Sequence, residues 1–138
     1  MPLVLRCHRG IGAAVSGTAL VAADNFSARY DLDRVRGIFA RPSHKLAGES
    51  YVDRILVLDG AKGGVATAWM LHDMKARQIV PRALLFNRVN PIIAQGATFA
   101  GVALVDRFAG DVTLLFRNGD QLRVDPAAGV VEILNRDA

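Results

Sequence analysis

Thiol chemistry is nearly absent from this chain: Cys7 is its one cysteine, so no internal disulfide can form. Cys7 and His8 have no metal-ligand spacing, and neither does His72, so no metal site is expected on this chain. Long apolar runs are missing too, since nothing approaches the roughly 18–20 residues of a membrane-spanning helix. The opening MPLVLRCHRG has no basic leader and only a short apolar patch, which does not fit a signal peptide. A cytoplasmic setting and no membrane partner are therefore expected. Repeats, linkers and low-complexity tracts are also lacking. The 17 Lys and Arg against 13 Asp and Glu leave a formal charge of +4, but the basic residues are scattered and not interleaved with aromatics. Nucleic acid is not the expected partner. A small anionic substrate or an acidic protein accounts for the charge equally well.

What is present suits one mixed α/β domain over 1–138. Of the 138 residues, 51% are hydrophobic, enough for one real core and too many for a disordered chain. Residues 3–7, 18–22, 37–40, 54–59, 83–86 and 102–105 read as strands, the apolar runs at 55–58 and 83–86 as buried ones. From Gly64 to Ile79 the period becomes helical, with Ala66, Met70 and Met74 on one side and Pro81 as the stop. Asn90-Pro91 reads as a cap and first turn opening a second helix. Residues 111–116, the Asn118-Gly119 pair and 121–125 read as a hairpin, with 129–134 as a last strand. Residues 25–37 have no clean period and read as a functional loop. Strands flanking a strand–helix–strand–helix middle predict β/β/α layers.

Three stretches in order, VSGTALVAADNFSARYD, HKLAGESYVDRILVL and GAKGGVATAWMLHDMKARQIVPRALLFNRVNPIIAQGATFAG, resemble the small subunit or swivelling domain of the aconitase X family. The resemblance covers about residues 12–108. Its most specific parts are HxLxG at 44–48, the strand and glycine turn at 55–64, and PIIAQGA at 91–97. It implies a swivelling β/β/α fold like the mobile domain of aconitase. It also implies a large aconitase-like partner subunit, which carries most substrate contacts and, in many members, an iron–sulfur cluster. No cofactor is implied on this chain itself. The implied reaction is dehydration of a small hydroxylated acid, with cis-3-hydroxyproline and phosphomevalonate as substrates in the family. There, a serine-rich turn of the small subunit supplies a catalytic serine.

That turn is where this chain departs. Gly64, Val65 and Ala66 stand where the serines would be, and none of them can move a proton. Lys62, Gly63 and Gly64 retain another chemistry: close backbone approach, a mobile cation and the positive end of a helix. They are assigned to binding a carboxylate or phosphate, the alternative being a turn that merely joins strand to helix. The loop from Ser27 to Asp31 occupies the position of the family's S-F-x-G-G-x-D, where Ser27 matches the family serine and Arg29 and Tyr30 depart from the pattern. Ser27 is the candidate proton relay, and Arg29 and Asp31 are candidates for substrate binding, against the reading of a self-capped surface loop. His44 matches the family histidine, either as an acid–base group or as a turn lock. Trp69 lies off its helix's apolar stripe and suits either a partner surface or cover for the sheet edge.

Two further readings compete with an enzyme subunit that is inactive alone. One is a non-catalytic binding or regulatory module that kept the fold after losing the serines. The other is a phosphohistidine carrier, suggested by GDQLRVDPAAGVVEI at 119–133, although that class needs a histidine on an exposed glycine-rich turn and the glycine turn here has none.

Overall fold

Residues 55–58 lie at the centre of the molecule because apolar side chains cover both of their faces. The computed structural model describes residues 3–27, 31–61, 65–89 and 91–136. In chain order they form β1 (Leu3–Arg6), β2 (Val15–Val21), β3 (Asn25–Phe26), β4 (Leu32–Asp33), β5 (Ile38–Phe39), β6 (Ile55–Ala61), α1 (Val65–Ala76), β7 (Ala83–Arg88), α2 (Pro91–Ala100), β8 (Ala103–Val105), α3 (Val112–Leu115), β9 (Gln121–Asp125) and β10 (Val130–Asn135). One sheet runs β1-β10-β9-β2-β6-β7-β8, with β3 added beside the end of β6, and β4 and β5 form a separate small hairpin. Strands β2, β6, β7 and β8 are parallel neighbours, whereas β9, β10 and β1 join antiparallel.

Alternation along the parallel strands separates two cores. Leu56, Leu58, Leu84 and Phe86 meet Leu71 and Met74 of α1 and Ile93 and Ala97 of α2. Ile55, Val57, Ala83 and Leu85 meet Val112, Leu122, Val124, Val131 and Ile133. The antiparallel half of the sheet therefore lies over the parallel half, and α1 and α2 cover the outer face. These are the β/β/α layers expected from the sequence. Among the described residues, no helix is long and apolar enough to cross a membrane.

Residues 7–11 stitch the two edges of the sheet together. The Cys7 N–H donates to Gly129 O (2.9 Å) and the Gly10 N–H to Pro126 O (3.0 Å), both on the β9–β10 side. Ile11 and Leu104 exchange both backbone bonds at 2.9 Å, on the β8 side. Gly10 is required by this approach, since a Cβ there would lie 1.9 Å from Leu104 O.

Two sequence expectations need correction. The hairpin expected over 111–125 is not there: 112–115 is α3, and the hairpin partner of β9 is β10. A strand would put Val112, Leu114 and Phe116 on one face, but the helix buries Val112 and Phe116 and leaves Leu114 80% exposed. Asp111 decides the outcome as N-cap, with Oδ1 accepting from the Thr113 N–H (2.9 Å) and hydroxyl (2.7 Å). Asn118-Gly119 is still a turn, but it leads from α3 into β9, and the Gly119 N–H donates to Ala19 O (3.1 Å). Helix α1 also stops at Ala76 rather than Ile79, because Gln78 takes φ 61 and the Ile79 N–H bonds back to Met74 O at 2.9 Å. The Asn90 cap lies outside the described residues.

The end of the sheet is pinned by a buried ion pair. Asp120, 1% exposed, accepts from Arg136 at 2.7 and 3.0 Å and from the Arg117 N–H at 2.9 Å. Burial alone would raise the Asp120 pKa, but the Arg136 guanidinium and the Arg117 N–H outweigh it and hold the carboxyl below its usual value. A depressed folded-state pKa contributes stability above the unfolded value, and this is lost as pH falls through the folded value. Arg136→Ala is expected to cost roughly 3 kcal/mol at neutral pH, in chemical denaturation. The gap to wild type should narrow only once pH falls below the usual aspartate value of about 3.9, through the lower value that this carboxyl has in the folded chain.

Gly119 (φ +89) and Gly10 make opposite demands, one on conformation and one on space. Nothing lies within 4 Å of a Cβ at Gly119. Gly119→Val should therefore lower stability by about 1 kcal/mol or more through backbone strain alone. Gly10→Ala should cost more, because backbone must move to admit it; denaturant midpoints of the two variants check the order.

Candidate functional site

The register of β3 against β6 brings the candidate residues to one end of the parallel sheet. Asn25 pairs with Gly60 and Phe26 with Ala61, so Ser27 leaves the sheet where β6 ends. Phe26 is fully buried and packs on Phe86 with ring centroids 6.2 Å apart, which anchors the strand. Beyond it, the chain doubles back through β4 and β5, and residues 41–49 fold over the result as successive turns.

Ser27 and Asp31 clamp one another. The Asp31 N–H donates to Ser27 O (3.0 Å), and the Ser27 N–H donates to Asp31 Oδ2 (3.0 Å). Both residues are buried, Ser27 at 4% exposure and Asp31 at 3%. The other oxygen of Asp31, Oδ1, receives Arg41 Nε, while Asp31 O accepts from the Ala40 N–H at 2.7 Å. Arg41 uses its remaining nitrogens on Ser43 Oγ (2.7 Å) and near Asp24 Oδ1 (3.7 Å).

Asp24 ties this assembly to the following turn. Its Oδ1 accepts from the Asn25 N–H (2.8 Å) and its Oδ2 from the Lys45 N–H (3.1 Å). Burial pushes the Asp24 pKa up, but those two N–H groups, with His44 and Arg41 nearby, bring it below its usual value.

His44 sits inside the turn with its ring stacked on Phe39, centroids 4.6 Å apart. Its Nδ1 accepts from the Leu46 N–H (3.0 Å), so the ring proton lies on Nε2, which donates to Asn25 O (2.8 Å). Nε2 is also 3.8 Å from Asp24 and 3.9 Å from Asp31. Both ring nitrogens are thus occupied by backbone, and the ring links β3 to the 41–49 turn.

The structure therefore brings Ser27, Asp31 and His44 together. Arg29, Lys62, Gly63 and Gly64 lie outside the described residues. Asp24 and Arg41 were missed as site members by the sequence reading. Arg41 stands directly before the Pro-Ser-His turn, which was the available signal, but its bond to a residue ten positions earlier has no periodicity that would reveal it.

A second polar cluster lies at the ends of β6 and β7. Asn87 Nδ2 donates to Asp59 (2.9 Å) and Asp111 (3.1 Å), and its Oδ1 accepts from the Val112 N–H (2.9 Å). Two of these three bonds are spent on starting α3, and the third ties it to β6. Among the described residues, no group of three or more His, Cys, Asp or Glu is placed to hold a metal ion. Nor does the chain's chemistry fit an iron–sulfur cluster, which needs several thiolates. Burial, with Asp106 nearby, pushes the one thiol, Cys7, up to about 11. Trp69 is 69% exposed on α1, with its ring edge-to-face with His72 at 6.3 Å.

The aconitase X swivel domain family model matches residues 4–133. The chain is 30% identical to the phosphomevalonate dehydratase small subunit of Methanococcoides burtonii over 132 residues, 96% of each chain. It is also 30% identical to the Methanothrix thermoacetophila protein of the same name over 127 residues, 92% of each. Among solved structures, it superposes on a chain of the holo-form aconitase X of Thermococcus kodakaraensis with a TM-score of 0.88. That match has 25% identity and covers 96% of this chain and 99% of that one.

Because His44 holds two backbone groups and fills space against Phe39, its removal should act on folding. His44→Ala is expected to lower stability by roughly 2–4 kcal/mol, since it opens a cavity and strands the Leu46 N–H and Asn25 O. Ser43→Ala, which loses one exposed contact to Arg41, should change stability by well under about 1 kcal/mol. Thermal unfolding of the two variants tests the contrast.

Proposed function

Since the chain belongs to the aconitase X swivel-domain family, we propose that it is the small, swivelling subunit of an aconitase-X-type dehydratase. It closes over a site carried on a large aconitase-like subunit. The substrate is a small hydroxylated acid, and phosphomevalonate is the first to test, because the archaeal relatives carry that name. The observation that supports this reading is the full-length match combined with the gathering of Ser27, Asp31 and His44 at the end of β6.

Dehydration breaks a C–H and a C–O bond, so it needs one group to accept a proton and another to deliver one to the leaving hydroxyl. On this chain Ser27 is the group assigned to proton relay. Its burial suits a water-poor site in which charge interactions are strong. Asp31 contributes by holding the Ser27 backbone, and His44 by fixing β3 to the turn above. Arg29 is assigned to a substrate carboxylate, and Lys62, Gly63 and Gly64 to an anionic group at the start of α1. The base that takes the carbon-bound proton belongs to the partner, as does any iron–sulfur cluster. The single cysteine suits a cytoplasmic, reducing setting.

The replacement of the turn serines by Gly64, Val65 and Ala66 favours one alternative, a regulatory module on a large subunit that is active alone. Reconstitution separates the two readings. This chain alone should give no turnover, and the pair should dehydrate phosphomevalonate. Ser27→Ala should lower kcat of the pair on the order of 10²-fold. A large subunit equally active without this chain would establish the regulatory module instead.

A further inference from the structure

We propose that Arg41 is a positioning residue for Ser27, acting through Asp31. This inference rests on the assignment of Ser27 to the dehydration step. Ser27 has both backbone polar groups tied to one residue: its N–H to the Asp31 carboxylate and its O to the Asp31 N–H, each at 3.0 Å. The position of Ser27 is therefore as well defined as that of Asp31. The Asp31 carboxylate in turn has one oxygen on Ser27 and the other on Arg41 Nε. Arg41 is itself fixed at three points by Asp31, Ser43 and Asp24, through a fork that only a guanidinium provides.

The brace also spans two otherwise separate segments. Asp24 and Asp31 stand on either side of β3, and Arg41 enters from the turn beyond β5, so one side chain sets the spacing between the strand and the returning loop. Hydrogen-bonding supports of this kind, one step removed from the reacting atoms, commonly change rate 10–100-fold without touching substrate. Arg41 is about a third exposed, whereas Asp31 is buried, so the contact is reached from the surface while its effect falls on an interior residue.

The test is a double-mutant cycle in the assembled two-subunit enzyme with phosphomevalonate as substrate. Arg41→Gln should lower kcat by about 10-fold or more, with KM changed less than about 2-fold, and Arg41→Lys should not restore kcat. In a Ser27→Ala background, Arg41→Gln should add little further loss. Equal fractional losses in both backgrounds would mean that Arg41 merely supports folding, and would overturn the inference. If Ser27→Ala is fully active, the assignment of Ser27 fails and takes this inference with it. If Ser27→Ala lowers kcat while Arg41→Gln does not, the inference alone fails. Should Arg41→Gln not fold, Asp31→Asn breaks the same brace from its other end and should show the same non-additivity. Amide exchange provides a readout independent of turnover. The Ser27 and Asp31 amides should exchange at least about 10-fold faster in Arg41→Gln while those of β6 and β7 keep their protection. Unchanged exchange at both amides would also overturn it.

Discussion

The structure depends on β6 and β7 being buried on both faces. A strand with one wet face can tolerate slips and polar substitutions, but these two cannot, because each successive side chain enters a different core. That requirement calls for two covers. The α1–α2 pair is one, and the folded-over β9–β10 hairpin with α3 is the other. It also leaves the ends of β6 and β7 as the places where polar chemistry can gather, since the strand interiors hold no room for it. Both polar clusters, the one around Asp31 and the one around Asn87, lie there.

The two clusters show how similar side chains reach different ends. Around Asn87, the amide and the Asp111 carboxylate are used up on the first turn of α3, and the hydrogen bonds to Asn87 and Thr113 hold the Asp111 pKa below its usual value. Around Asp31, the bonds fix a backbone loop that carries a serine. Aspartate oxygens serve as acceptors for N–H groups in both cases. The difference lies in what the restrained backbone carries, a helix start in one and a hydroxyl in the other.

Much of the architecture could be read from the residues, and the failures have physical causes. The strands at 55–58, 83–86 and 102–105 were legible because double-sided burial leaves an unbroken apolar run, and α1 because its apolar positions repeat at helical spacing. The segment 111–116 misled because its alternation of apolar residues fits a strand. A single cap at Asp111 and the non-local acceptor Asn87 settle it as a helix. Strands of two residues, such as β3 and β4, have no period to detect. At the site, Ser27, Asp31 and His44 were found through resemblance to a family, not through any local pattern. Asp24 and Arg41 were missed because their partners lie 21 and ten residues away and are brought near only by the folded turns.

The pairing of β1 with β10 bears on how the chain is made. Leu3 lies opposite Ile133, and Arg6 opposite Val130, so β1 leaves the ribosome well over a hundred residues before the strand it pairs with. Until then, Leu3, Val4 and Leu5 have no ladder to join. The stitch at 7–11 must also wait, because Cys7 and Gly10 bond to Gly129 and Pro126. The parallel strands with α1 and α2 can assemble earlier, from segments adjacent in the chain. Synthesis therefore passes through a state in which the helical face is covered and the opposite face of β6 and β7 is bare. Contacts of such long sequence separation slow folding, and an exposed apolar sheet is what chaperones bind. For this chain the vulnerable interval lasts until β9 and β10 emerge, at roughly 5–20 residues per second.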